Sequence, residues 1–194
     1  MRQNYMSNIK FISIETNINK NVEKKLLQSC RKFNIDIDII GKGVDWKGFV
    51  TKFEIIIDYL KTIDSKLVCL TDSRDVLYMS DSQTIYDTFK ENFSEDSIVF
   101  NGETQCFPEP NDAEKHPNQH KKYKYLNSGC VIGNRELLLK VCEDAVEVYK
   151  KTKRNDDQFL IQQIFLSGKY GDKFTLDYDC KIFQCVWDND WGRS

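Results

Sequence analysis

A chain of 194 residues with 40% hydrophobic and 30% charged residues has the composition of one globular domain and is too apolar to be disordered. A formal charge of -2 and a sequence pI near 5.8 leave no broad basic field, which excludes nucleic acid as the expected partner. No stretch reaches the ~18 apolar residues that span a bilayer, and residues 1–10 lack the apolar core of a signal peptide. The expectation is a cytoplasmic single domain over residues 1–194 with no membrane span.

In chain order, residues 9–14 read as a strand, 21–32 as an amphipathic helix and 35–40 as a second strand. Gly41 and Gly43 mark a turn that continues through Trp46 and Gly48. Residues 51–63 follow as a helix with apolar Phe53, Ile56, Ile57 and Leu60. The run 67–70 is short and continuously apolar, as a parallel strand covered on both faces would be, and it stops at Thr71-Asp72. Next come a helix at 82–92, a strand at 97–100 and a polar loop at 103–124 that holds all three prolines. Loops of that length inside a compact domain are usually functional or mobile.

A strand-like segment at 125–132 is interrupted by Asn127-Ser128-Gly129, and a strong amphipathic helix covers 135–150. Asn155 reads as the N-cap of a helix reaching about Leu166, with Asp156 and Asp157 in its first turn, and strands at 174–176 and 181–185 follow. This alternation predicts an α/β fold with a mostly parallel central sheet flanked by helices. Seven cysteines, an odd number with no CxxC pair, fit neither a complete disulfide framework nor a zinc cluster and read as reduced thiols. The sequence leaves open whether Cys180 and Cys185 pair.

The chemistry concentrates where Asp72 and Asp75 follow the 67–70 strand. In open α/β sheets ligands bind beyond the carboxyl ends of the strands, and paired hard oxygen donors there suit Mg2+ or Mn2+, which in turn holds a diphosphate. A turn capped by Asp72, with Asp75 solvated, explains the same residues without a metal. A phosphatase of the haloacid dehalogenase type also opens on an aspartate pair, but with one residue between them where this chain has two.

Read with the other segments, the pair becomes specific. The segments GKGVDWKG (41–48), TDSRDV (71–76), ETQCFPE (103–109), YLNSG (125–129) with Gly133, DDQF (156–159), and Leu176-Asp177 followed by Ile182-Phe183-Gln184 stand in one order over nearly the whole chain. Together they resemble the glycosyltransferase domain of the procollagen lysyl hydroxylases. The resemblance implies a GT-A (Rossmann-like) fold, Mn2+ in preference to Mg2+, and retaining transfer of glucose from UDP-glucose to galactosyl-hydroxylysine of collagen or a collagen-like polypeptide. A galactosyl donor with another acceptor, or an inactive sugar-nucleotide-binding module, is the alternative. A homodimer is compatible with the sequence, which shows no heptad or apolar stripe that demands one.

By that resemblance Asp72 and Asp75 are metal ligands, and Thr16, Trp46 and Arg74 contact the nucleotide. Arg74 stands where the family usually has a tyrosine stacked on uracil, a role that a planar guanidinium can also fill. Phe107 takes the place of a tryptophan in a mobile loop over the sugar, with Glu103 a weaker sugar contact. Asn127, Ser128 and Gly129 line the sugar site, while Asp156, Asp157 and Gln158 face the transferred sugar and the acceptor. The family's third metal ligand, a histidine far toward the C-terminus, has no counterpart here; His116 and His120 lie in the polar loop and read as surface residues.

Overall fold

The computed structural model describes residues 9–18 and 20–186. Strand β1 (Ile9–Ile14) leads into a continuous helical stretch made of α1 (Lys20–Val22), a π turn over Glu23–Leu27, and α2 (Gln28–Phe33). Asn34 ends it in the left-handed region at φ 54°. Then follow β2 (Ile37–Ile40), α3 (Phe49–Leu60), β3 (Leu67–Thr71), α4 (Ser82–Asn92), β4 (Ile98–Glu103), β5 (Tyr125–Asn134), α5 (Arg135–Thr152), α6 (Asp157–Leu166) and β6 (Phe174–Asp177).

The strands form one sheet in the order β2-β1-β3-β5-β4-β6. Three of the five pairings are parallel, and β5 runs against both of its neighbours. The sheet is therefore mostly parallel, as expected. Alternation along the strands builds two cores. Ile12, Val68, Phe100 and Val131 face α3, α5 and α6 through Ile56, Leu60, Val141 and Leu160. Phe11, Cys69, Val99 and Ile132 face α2 and α4 through Cys30 and Phe89, with Leu26 of the π turn between them. Side chains such as Leu60 and Phe89 are fully buried, and each contributes about 1.5–3 kcal/mol. The result is the helix-sheet-helix sandwich that alternating elements predict.

Four expectations need correction. The strand expected at 181–185 is absent, because the buried Asp177 carboxylate accepts the backbone N–H groups of Lys181, Ile182 and Phe183 at 2.8, 2.7 and 2.8 Å. Those amides are drawn into a turn and cannot join a ladder. Asn155 does not cap α6; Asp156 does, accepting the Phe159 N–H at 2.8 Å. Asn155 instead accepts the Val50 N–H at 3.1 Å and so serves the start of α3. It can sit there because Gly48 has no side chain: a Cβ would lie 1.7 Å from the Asn155 amide nitrogen.

Strand β4 runs on to Glu103, so the long loop begins one residue later and holds a 3-10 turn at Pro110–Lys115. His116, expected at the surface, is only 2% exposed and lies against the rings of Tyr125 and Phe165, with centroids 5.2 and 5.8 Å away. Neither ring nitrogen has a well-formed hydrogen bond, and burial lowers its pKa, so the imidazole is neutral and acts as a packing group. None of the seven cysteines forms a disulfide among the described residues, Cys180 and Cys185 included.

Candidate active site

The parallel strands β1, β2 and β3 end side by side, where Glu15 and Thr16, Gly41, and Asp72 follow them. The reversed strand β5 delivers its first half to the same end through a bulge. Phe100 pairs with Val131, but the next residue, Asn101, pairs with Asn127, leaving Ser128, Gly129 and Cys130 without partners on β4. The released Gly129 carbonyl accepts the Asp72 N–H at 2.7 Å, and the Asn127 side-chain oxygen accepts the Gly129 N–H at 3.0 Å. The approach is close enough to favour glycine: a Cβ at position 129 would lie 3.0 Å from Asn127 Oδ1 and 3.1 Å from Asp72 Oδ2.

Lys52, a residue not singled out from the sequence, sits at the centre. From α3 its ammonium donates to Asp72 Oδ1 and to Asp157 Oδ2, both at 2.7 Å, and the residue is 7% exposed. Burial works against its charge, but the two carboxylates outweigh burial and raise its pKa above the ordinary lysine range. Burial pushes the Asp72 carboxyl up, and neighbouring Asp157 and Asp75 add to that while Lys52 opposes it. Asp75 is exposed and has no cationic partner among the described residues.

A second set of bonds runs from α6 to the long loop. The Gln158 amide donates to Glu103 at 2.6 Å and to the Phe107 carbonyl at 2.9 Å, and its oxygen accepts the Ser128 N–H at 3.4 Å. Burial pushes the Glu103 carboxyl up to about 7, against the lowering effect of its bonds to Gln158 and Asn127. The Phe107 ring is 56% exposed above this network.

The third set fixes the turn that carries Asp72 and Asp75. Buried Glu15 accepts from Arg74 Nε at 2.8 Å, from its terminal nitrogen at 3.0 Å, from Ser73 Oγ at 2.9 Å and from the Asn17 N–H at 3.0 Å. These bonds, Arg74 foremost, pull Glu15 down to about 2 in spite of burial. The Arg74 side chain keeps 59% of its surface exposed while Glu15 holds two of its guanidinium nitrogens. Thr16 accepts the Gly43 N–H at 3.1 Å, joining this corner to the glycine turn. Trp46 in that turn is 42% exposed and meets Phe49 edge-on at 5.8 Å, so it is not a core tryptophan.

Asp72, Asp157, Asn127, Ser128, Gly129 and Gln158 are thus brought together by direct bonds, with Glu103 and Lys52 added to them. Thr16 and Arg74 belong to the adjoining corner, and Trp46 and Phe107 are exposed aromatics on loops at the same end of the sheet. No group of three or more metal-binding side chains occurs among the described residues. The donors that are present still suit a hard divalent cation. Asp72 and Asp75 are two hard oxygen donors on one tight turn and would be the residues to hold such a cation, although Lys52 already bonds one oxygen of Asp72.

A mostly parallel α/β sandwich with an aspartate pair after β3 and a bulged β5 beside it fits a glycosyltransferase domain of the GT-A type, and the family match makes that assignment. The chain belongs to the PLOD GT domain family, whose profile matches residues 5–190. It is 31% identical over 179 residues to a multifunctional procollagen lysine hydroxylase and glycosyltransferase of Caenorhabditis elegans, covering 83% of this chain and 23% of that protein. It is 28% identical over 169 residues to an uncharacterised protein of Acanthamoeba polyphaga mimivirus, covering 81% of this chain and 35% of that one. Human procollagen-lysine,2-oxoglutarate 5-dioxygenase 2 is 24% identical over 175 residues, covering 84% of this chain and 23% of its own length. The chain thus spans 23% to 35% of the length of these relatives. Among the described residues no helix is long and apolar enough to cross a membrane.

Proposed function

We propose that this domain transfers glucose, with retention, from UDP-glucose to galactosyl-hydroxylysine in a collagen-like polypeptide, using a divalent cation, Mn2+ in preference to Mg2+, held by Asp72 and Asp75. The observation that carries the reading is the single ammonium of Lys52 joining the aspartate of the β3 turn to Asp157 of α6. It gathers carboxylates from two distant segments at the ligand-binding end of the sheet. Family membership and the printed name of one relative, a procollagen lysine hydroxylase and glycosyltransferase, support glycosyl transfer in a collagen-lysine context.

A divalent cation held by Asp72 and Asp75 would supply positive charge against the charge growing on the departing UDP. The chain's own residues bind and orient. Glu15 holds Arg74 so that its guanidinium receives the uracil, and Trp46 packs on the nucleotide from the glycine turn. Thr16 contacts the nucleotide beside them. Gly129 lets the backbone come close to the sugar, Asn127 and Ser128 offer it polar groups, and Phe107 covers it. Asp157 orients the sugar and acceptor hydroxyls; Asp156, while capping α6, adds its charge on that side. Gln158 ties the Phe107 loop to β4 and β5.

The test is calorimetric binding of UDP with and without Mn2+, to wild type and to Asp72→Ala and Asp75→Ala. Cation-dependent UDP binding that both variants lose supports the reading. Equal UDP affinity in all three proteins, with or without the cation, contradicts it.

A further inference from the structure

Lys52 is a buried ammonium with an incomplete set of acceptors. An ammonium has three N–H donors, and the described residues supply acceptors for two of them, Asp72 and Asp157. Its stem runs among Phe53, Ile56, Leu70, Phe100 and Val131, beside a void of about 10 Å3, which is at the lower limit for even one water. A lysine there is costly unless paired, and an apolar residue of its length would pack as well. Its two partners come from unrelated parts of the chain, 20 and 105 residues away in sequence. One lies on the turn proposed to hold the cation, the other on the helix proposed to face the sugar.

We infer that Lys52 is a positioning residue that couples the two ends of the site. It holds Asp157 at a fixed place relative to Asp72, and its charge weakens cation binding at Asp72 and Asp75 until the diphosphate arrives. This rests on the proposed metal site and deepens it. The physical basis is short-range electrostatics. A positive charge bonded to a cation ligand repels the cation, and at a partly hydrated site that repulsion is worth about tenfold in affinity. An aspartate that loses a bonded anchor shifts by the order of an ångström, enough to slow transfer about a hundredfold. The third N–H then finds its acceptor in a phosphate oxygen of the donor, which relieves the repulsion by adding negative charge.

The experiment compares wild type with Lys52→Met and Lys52→Arg. Three quantities are read: Mn2+ affinity by calorimetry without donor or acceptor, the same affinity with UDP, and kcat and KM for UDP-glucose. Lys52→Met is expected to bind Mn2+ about tenfold more tightly without UDP, to lose most of that advantage with UDP, and to have kcat lowered about a hundredfold. Lys52→Arg restores the charge and is expected to return Mn2+ affinity to near the wild-type value while recovering part of kcat. A purely structural lysine predicts that Lys52→Met weakens Mn2+ binding along with thermal stability, and that result overturns the inference. So does unchanged Mn2+ affinity with normal turnover.

Should Lys52→Met not fold, the NMR signal of the Lys52 ammonium in wild type decides. The inference requires a slowly exchanging signal that moves on addition of Mg2+ and again on addition of UDP, and a signal indifferent to both refutes it. Wild type that binds no divalent cation removes the metal site itself and this inference with it. Wild type that binds the cation while Lys52→Met behaves identically removes only the role of Lys52.

Discussion

Replacing Glu15 with glutamine tests how the turn that carries Asp72 and Asp75 is held. The carboxylate accepts four hydrogen bonds, two of them from Arg74, and an amide of the same shape has only one oxygen to offer. A carboxyl at about 2 in the fold against an ordinary 4.5 corresponds to roughly 3 kcal/mol, and solvent around the half-exposed Arg74 reduces this to about 1–2 kcal/mol. Because the folded pKa is the lower one, this stability is fully present above 4.5 and is lost as pH falls toward 2. Urea unfolding should therefore show Glu15→Gln less stable than wild type by about 1–2 kcal/mol near neutral pH. The gap should narrow progressively below pH 4.5. The same variant should raise the KM for the UDP-sugar more than it lowers kcat, since Arg74 loses its anchor. A stability gap that stays constant from neutral pH to about pH 3 would refute the reasoning.

Other substitutions separate packing from chemistry. Asp156→Ala should cost about 1 kcal/mol in chemical unfolding through the lost cap, with Asp156→Asn nearly neutral. Asp157→Asn should keep the fold and lower kcat at least tenfold, roughly 1.4 kcal/mol at the transition state. Gly129→Ala adds a Cβ 3.1 Å from Asp72 Oδ2, so steady-state transfer should fall about tenfold while the melting temperature hardly moves. His116 is neutral in the fold with its pKa lowered from 6.5, so the protein should lose stability as pH falls below 6.5. His116→Phe should flatten that slope in thermal melts, and an unchanged slope would assign it to other groups.

The strong periodic segments were legible in the sequence. Residues 9–14 and 82–92 coincide with β1 and α4, because alternation and helical spacing are set locally. The ends were less so. Nothing local distinguishes Asn155 from Asp156 as the cap of α6, since the choice depends on Gly48, more than a hundred residues away in the chain. The strand expected at 181–185 was lost to the Asp177 carboxylate, a long-range competitor for its amides. Lys52 left a signal that went unused: it precedes Ile56 and Leu60 at helical spacing, which puts it on the buried face of α3. A lysine in that register asks for a buried anion, and two were waiting. His116 offered no such sign, because its burial arises only where the long loop folds back on Tyr125 and Phe165.

The measurement that bears most directly on the proposed activity is mass spectrometry of a galactosyl-hydroxylysine collagen peptide incubated with the protein, UDP-glucose and Mn2+. The account predicts addition of one hexose, abolished by a chelator and by Asp72→Ala or Asp75→Ala; Asp75→Ala should unfold at nearly the wild-type temperature, while Asp72→Ala, which removes one of the two acceptors of buried Lys52, should unfold at a lower one. Hexose transfer that persists in chelator or in either variant would contradict it, as would a protein that binds UDP and Mn2+ but modifies no acceptor with any UDP-sugar.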